Sequence, residues 1–469
     1  MEKLDFKDDL DFNEFPSVSI DEWEAVIEAD LKGKNYKEVL RWSPEEGLDA
    51  LPFYRKDHLK NIHQNANPVR SSGSWNIIEP VDDADISTAN SLALEALENG
   101  ASGLNFNLKA ERFSTRNDLE QLLENVQIDI ITLKFGPSLS IPQIAKWVNE
   151  ICKERNLESK KYDIHFSFDP FSNALQTGKL AAKKDLQHIL KEFESSFKYC
   201  LVDSAPYGNS GATVIQQIAF ALAAGNEFLG LGENTDTSGH TYFNFSAGPH
   251  YFPEIAKYRA FKLMWKQVLQ EYKVEDSRFS IHAETALWNK SRTDAHNNMI
   301  RTTTEAMSAA LGGCDAVTVH RYDKHFEKAS GFSSRIARNI QLILQEEAYL
   351  NKVADPGAGS YYIEVLTDKI ARESWELFQK IESKGGFYEC IKSGFIQSEI
   401  NKSKEEKISA YKEKQKVLVG VNKYTPGKIQ NSKFKIQNLG DFEFSGGSFL
   451  DIQKIEPLNI EAVLQMGEG

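Results

Sequence analysis

Cysteine is scarce in this chain of 469 residues, and the four present, Cys152, Cys200, Cys314 and Cys390, lie far apart with no CxxC pair. That spacing excludes a disulfide frame and a zinc site and reads as thiols in a reducing compartment. Nor is there an uninterrupted run of 18 apolar residues, and the N-terminus, Met1-Glu2-Lys3-Leu4-Asp5, lacks the apolar core of a secretion signal. Basic charge is in deficit. Asp and Glu number 68 against 55 Lys and Arg, a formal net charge of −13, which speaks against nucleic acid or an anionic membrane as partner. The expected location is the cytoplasm. No GxGxxG follows the first predicted strand, which weakens a dinucleotide-binding reading.

What the sequence does contain is regular. Residues 1–72 read as an arm. In it Ser19-Ile20-Asp21-Glu22 forms a capping box, and Trp23, Val26, Ile27 and Leu31 follow at helical spacing as far as Gly33. One amphipathic helix cannot bury its own apolar stripe, so Trp23 needs another surface, on this chain or on a partner. From residue 73 to 354, β-rich runs at 74–81, 103–108, 128–135, 162–169, 199–204, 227–232, 278–284 and 316–322 alternate with helical stretches at 88–98, 141–154, 212–224, 254–271, 294–311 and 334–347. Eight such repeats predict an α/β fold, a closed (β/α)8 or TIM barrel with helices outside. Residues 355–469 read as a helical extension and tail. The last fifty are too few for a doubly wound cobalamin-binding domain of the Rossmann-like kind.

Barrel chemistry sits at the C-terminal ends of the strands. Those ends carry Glu79, Lys134, Asp169, Asp203, Glu233, His282 with Glu284, and His320 with Arg321. Paired acids and histidines there would suit an acid–base hydrolase, but the top of any barrel is polar because strand ends meet water.

A longer pattern is more informative. His282-Ala-Glu-Thr-Ala-Leu-Trp288-Asn-Lys-Ser-Arg-Thr-Asp-Ala-His-Asn-Asn298, then Arg301-Thr-Thr-Thr-Glu-Ala306, then residues 334–347 and Val353-Ala-Asp-Pro-Gly-Ala-Gly-Ser-Tyr-Tyr362, resemble the methylmalonyl-CoA mutases in succession and spacing. The arm, with Phe15-Pro16, Trp23, Asp30-Leu31-Lys32-Gly33 and Pro52-Phe53-Tyr54, resembles the small-subunit version of that family, and Gly420-Val-Asn-Lys-Tyr424 matches a stretch after its barrel. The resemblance runs from about Phe15 to Tyr424. It implies a radical isomerisation between methylmalonyl-CoA and succinyl-CoA, in which adenosylcobalamin carries the difficult chemistry and active chains thread acyl-CoA along the barrel axis.

The family's working residues are missing at the matching positions. Active chains carry Arg-Pro-Trp-Thr-Ile-Arg-Gln-Tyr on the first strand. Here Gly73 stands for the CoA-facing arginine, Ile78 for the substrate-carboxylate arginine and Pro80 for the radical-positioning tyrosine, while Trp75 is kept. On the fifth strand, Ala205 and Pro206 replace the Tyr-His pair whose histidine holds the thioester carbonyl; proline offers no donor. His240, Tyr242 and Asn244 stand at the CoA-contacting Arg, Ser and Phe, expected after the sixth strand. His320 and Lys324 stand at the adenosyl-contacting Asn and Glu. Of the pocket only His282 survives, its companion glutamine now Glu284. No catalytic, cofactor-binding or metal-binding residue is therefore expected on this chain. The remaining expectation is a vestigial pocket formed by Trp75, His282, Glu284, His240, Tyr242 and Asn244. The axial channel should be narrowed or made apolar by Ile78 and Pro80.

Cobalamin ligation in this family uses Asp-x-His-x-x-Gly. Asp163–His165, Asp294–His296 and Asp323–His325 begin that way, but Phe168, Met299 and Lys328 occupy the glycine position. The resemblance thus implies a non-catalytic subunit of a heterodimer, with adenosylcobalamin on a large catalytic partner and Trp23 at the interface. The alternative within the family is a catalytic barrel working with a separate cobalamin-binding chain.

Overall fold

The computed structural model describes residues 16–42, 48–60, 62, 72–82, 85–107, 115–136, 141–157, 162–193, 197–232, 237–274, 279–327, 329–425 and 449–466. Two compact units make up the chain, Met1–Tyr54 and Arg55–Gly469.

In the first unit the predicted helix forms over Ile20–Asp30. The Ser19 side chain accepts from the Glu22 backbone N–H, and the Glu22 carboxylate returns the bond to the Ser19 N–H at 2.8 Å. Leu31 caps the C-terminal end, and Lys32 and Gly33 turn the chain in the left-handed region. Within the unit the helix buries none of its residues. The Trp23 ring meets Phe53 edge-on at 5.5 Å yet stays 48% exposed, and Val26 is exposed too.

The second unit is the barrel. Its strands are β1 (Asn76–Val81), β2 (Gly103–Phe106), β3 (Thr132–Phe135), β4 (Asp163–Phe168), β5 (Lys198–Asp203), β6 (Thr241–Ala247), β7 (Ser280–Thr285) and β8 (Ala316–Thr318). They pair in parallel in sequence order, and β1 closes on β8 through Asn76↔Ala316 and Ile77↔Val317. Each strand is buried on both faces, as a parallel sheet wrapped in helices requires. The outward face is apolar apart from Glu79, and Phe106, Phe135 and Phe166 stack in a row at 6.0 and 5.2 Å.

One predicted strand is wrong. Residues 227–232 are not the sixth strand but the end of the helix Val214–Leu231, and the strand is Thr241–Ala247. That helix is apolar on nearly every side because it has neighbours on every side. The barrel lies beneath it, the helix Tyr251–Glu271 beside it and the helix Tyr361–Ser383 over it. It therefore lacks the polar stripe by which helices are recognised. By length and composition it could span a membrane; here it is core.

The C-terminal segments pack on the barrel. Arg259, from the helix Tyr251–Glu271, is buried between Asp355 and Glu364, and Glu364 also accepts from the Gly359 N–H at 3.0 Å. Residues 449–466 run as a strap across the C-terminal rim. Phe449–Asp451 pairs antiparallel with Lys179–Ala181, Ile455 N–H donates to Leu175 O, Leu458 N–H to Asn209 O and Ile460 N–H to Trp288 O. Leu458 and Ile460 bury themselves with Ala286, Trp288, Tyr411, Leu418 and Val421. Glu461 accepts from the backbone N–H of Arg292 at 2.6 Å and of Thr293 at 2.9 Å, and from the Thr293 hydroxyl. Glu461→Ala strands those donors and should cost about 2 kcal/mol. Urea unfolding measures the loss and limited proteolysis locates it. Cleavage confined to sites outside 449–466 would count against the strap being held by Glu461.

Candidate functional site at the barrel mouth

Alternation places Asn76, Ile78 and Pro80 of β1 on one face, and contacts between non-adjacent strands show that this face points to the axis. Asn76 Nδ2 donates to Thr132 Oγ1 at 2.7 Å, and Thr132 donates to Asp163 at 2.6 Å. Lys198 of β5 donates to Ser280 Oγ of β7 at 3.0 Å. Three layers result, and none of them is mainly apolar.

The lowest layer holds Asn76, Thr132, Asp163, Lys198 and Ser280. Above it three rings fill the axis. His165 lies 4.8 Å from His282 and 4.7 Å from Tyr242, and Tyr242 lies 5.5 Å from His282, all nearly inaccessible. Tyr242 shares a hydrogen with Ser167 at 3.1 Å, and His165 Nε2 meets Asp163 at 2.6 Å. Burial lowers the His165 pKa to about 4 despite Asp163 beside it, so the ring is neutral at pH 7 and donates to that carboxylate. Burial likewise holds His282 well below its ordinary value, with Lys134 adding to the effect.

The third layer lies at the mouth. Asp203 accepts from Asn244 Nδ2 at 2.9 Å and from the Ala205 N–H at 3.1 Å. Burial and then the Glu284 charge push its pKa up to about 7. For Glu284, burial acts upward but is outweighed by His320, Lys324 and Lys134, so its pKa falls. When these two acids hold one proton between them, it is on Asp203. His320 Nε2 faces Glu284 Oε1 at 3.5 Å, and the Lys324 ammonium donates to His320 Nδ1 at 3.0 Å. That bond leaves the imidazole proton on Nε2.

Several predicted residues are elsewhere. Trp75 points outward, its indole N–H donating to Gln341 at 3.1 Å in the helix Gly331–Glu346. It is packing, not pocket. Glu79 also points outward, to Arg338 at 2.6 Å. Asp169 caps the helix Pro170–Thr177, accepting from Phe171 and Ser172, and accepts from the Asp203 N–H at 2.7 Å. His240 precedes β6 at the opposite end of the barrel, stacked on Tyr199 at 4.8 Å and bonded to Phe197 O. Tyr242 and Asn244 lie on β6 itself, not after the sixth strand as expected. Arg321 bonds Asp323 at 2.9 Å. Glu233 is outside the described residues.

At Gly73 an added Cβ would lie 2.0 Å from Asn351 O, so the backbone of the 350–353 turn occupies the direction of any side chain. Ile78 reaches across the face of Gly103, where an added Cβ would lie 2.5 Å from its Cδ1. Ala205 and Pro206 are buried in the helical turn Ala205–Asn209. Asp163 and His165 entered the sequence reading only as an Asp-x-His triplet, and their network with Lys198 went unnoticed. Polar residues at every second position of β3, β4, β6 and β7 were the signal of a polar axis, but β5, which carries Lys198, lacks that pattern.

Comparison with known proteins follows the same line. A family model described as methylmalonyl-CoA mutase matches residues 112–455. The methylmalonyl-CoA mutase small subunit of Porphyromonas gingivalis is 32% identical, over 88% of this chain and 71% of that protein. The small subunit of Streptomyces virginiae is 27% identical over the same shares of each. The P. gingivalis large subunit is 32% identical over 46% of this chain and 31% of its own length.

Proposed function

The chain belongs to the methylmalonyl-CoA mutase family, and from that premise we propose that it is the non-catalytic structural subunit of a two-chain mutase. Its partner is a large subunit that carries adenosylcobalamin and interconverts methylmalonyl-CoA and succinyl-CoA, in the cytoplasm and in propionate metabolism. The observation that carries this reading is the filled axis. His165, Tyr242 and His282 occupy the path a pantetheine arm would take. Gly73 has backbone where an arginine would extend, and Ile78, Pro80, Ala205 and Pro206 offer neither an anion clamp nor a carbonyl donor.

The residues do not fit cobalamin either. His165 is locked to Asp163 inside the barrel, and His325 Nε2 donates to Leu287 O. His296 sits at the N-terminal end of the helix Asn297–Leu311, with Met299 inside that helix where a glycine turn is required. A duplicated barrel that loses its pocket still stabilises a partner through buried area. The exposed Trp23 face suits such a contact.

The test is reconstitution. Alone, with adenosylcobalamin and methylmalonyl-CoA, the chain should show no turnover and no cobalamin absorbance. Mixed with the large subunit from the same cell, it should co-elute with it. Trp23→Ala should weaken that association by about 2 kcal/mol. Turnover by the chain alone would overturn the reading, and so would failure to co-elute.

A further inference from the structure

Lys134 is an oddity that the subunit role leaves unused. It stands on β3, in register between Asn105 of β2 and His165 of β4, with its side chain in the barrel and only 6% of it exposed. Its Nζ lies 5.7 Å from the centroid of the Tyr242 ring. Among the described residues its ammonium makes no hydrogen bond and no ion pair, feeling Asp203, Glu284 and Asp163 only through space. Buried charges in proteins are paired or neutralised, because burying one alone is costly. Two more groups of the same layer are unsatisfied. His320, 5% exposed, has a buried Nε2 whose nearest carboxylate oxygen, Glu284 Oε1 at 3.5 Å, stands too far off to close a hydrogen bond, and Asn105 has a buried amide oxygen with no donor.

We propose that this layer is a binding site for a small free monocarboxylate, its oxygens held by the Lys134 ammonium and the His320 Nε2–H. Water could satisfy the imidazole and the amide but would bring no charge to the ammonium. An anion does, and charge-assisted bonds to it are the strong ones. Size and charge narrow the class. The three rings below close the axis, so the ligand is short. Asp203 and Glu284 line the same layer, so a dianion such as phosphate meets two acids, whereas a monoanion meets an acid pair that can keep a proton on Asp203. Neither Lys134 nor the monocarboxylate belongs to the subunit reading, and a chain that binds no acid could still be a subunit.

Titration calorimetry on the full chain, with sodium propionate and sodium lactate as probes, tests this. Saturable binding tighter than about 1 mM is expected for at least one, weakened about tenfold or more in Lys134→Met. Inorganic phosphate should not compete. Should Lys134→Met fail to fold, reductive methylation of the unaltered chain with peptide mapping decides, since the bound acid should protect Lys134 selectively. No saturation by either acid, equal binding by the variant, competition by phosphate, or unprotected Lys134 would each overturn the site.

Discussion

Replacing Arg259 by methionine should destabilise the second unit by about 3–5 kcal/mol. The guanidinium is buried between two carboxylates, Asp355 and Glu364, which are themselves almost inaccessible. Methionine fills much of the same volume but leaves both acids without a countercharge. The loss therefore comes from two orphaned carboxylates, not from missing packing. Glu364 would still have the Gly359 N–H, too little to hold a buried charge. The triple replacement Arg259→Met, Asp355→Asn, Glu364→Gln removes every charge and should recover most of the stability, whereas Arg259→Lys, lacking the fork, should recover only part. Chemical denaturation with an unchanged m-value is the measurement. A loss below about 1 kcal/mol in the single variant would mean that the two acids find water, and that the pairing is not what holds the helix Tyr361–Ser383 down.

The second large effect depends on pH. His325 is buried, its Nε2–H donating to Leu287 O at 3.0 Å, and burial lowers its pKa to about 4, with Lys324 and Lys290 contributing. In the unfolded chain a histidine titrates near 6.5. Between pH 6.5 and 4 the unfolded chain takes up a proton that the folded ring refuses. This group's contribution is therefore fully favourable above pH 6.5 and is lost as pH falls through the window, by about 3 kcal/mol in all. Asp169 and Asp203, both raised to about 7, act in the opposite direction over much of the same range, so the raw pH profile mixes signs. A difference isolates the histidine. His325→Gln keeps an N–H donor and does not titrate, so the gap between it and the parent chain should widen in the variant's favour from pH 6.5 down to 4. An NMR midpoint for His325 at 6 or above would dispose of the argument.

The barrel was legible because β-rich runs and helical stretches alternate along the chain, and seven of the eight strands lie on those runs. The exception is physical. The helix Val214–Leu231 is covered on its outer side by the chain's own C-terminal helix, so its polarity pattern was erased by a neighbour more than a hundred residues away. The true sixth strand, Thr-Tyr-Phe-Asn-Phe-Ser-Ala, alternates as strictly as any other, but the apolar run before it had already been taken for a strand.

The site was legible in a different way. The residues that make the family recognisable turn out to be scaffolding. Asn289 and Lys290 both donate to Glu305, and the Asn298 side chain accepts from the Ser291 N–H and donates to the Ser291 O and the Tyr322 O. Asp355 in the Asp-Pro-Gly turn receives Arg259. Those networks hold the rim together, whatever the barrel binds. What alignment could not convey is burial. Trp75 looked like pocket and is packing, His240 lies at the far end, and Lys134 became notable only once its surroundings were seen to leave it unpaired.

The covered helix has a further consequence, for the chain while it is still being made. Val214–Leu231 leaves the ribosome well before Tyr361–Ser383, the helix that shields it, has been translated. At 5–20 residues per second the interval is on the order of ten seconds. Throughout it the nascent barrel displays an apolar surface of membrane-spanning length. Synthesis of this protein should therefore call on a holding chaperone at the stage when the eighth strand is already out and the C-terminal helix is not.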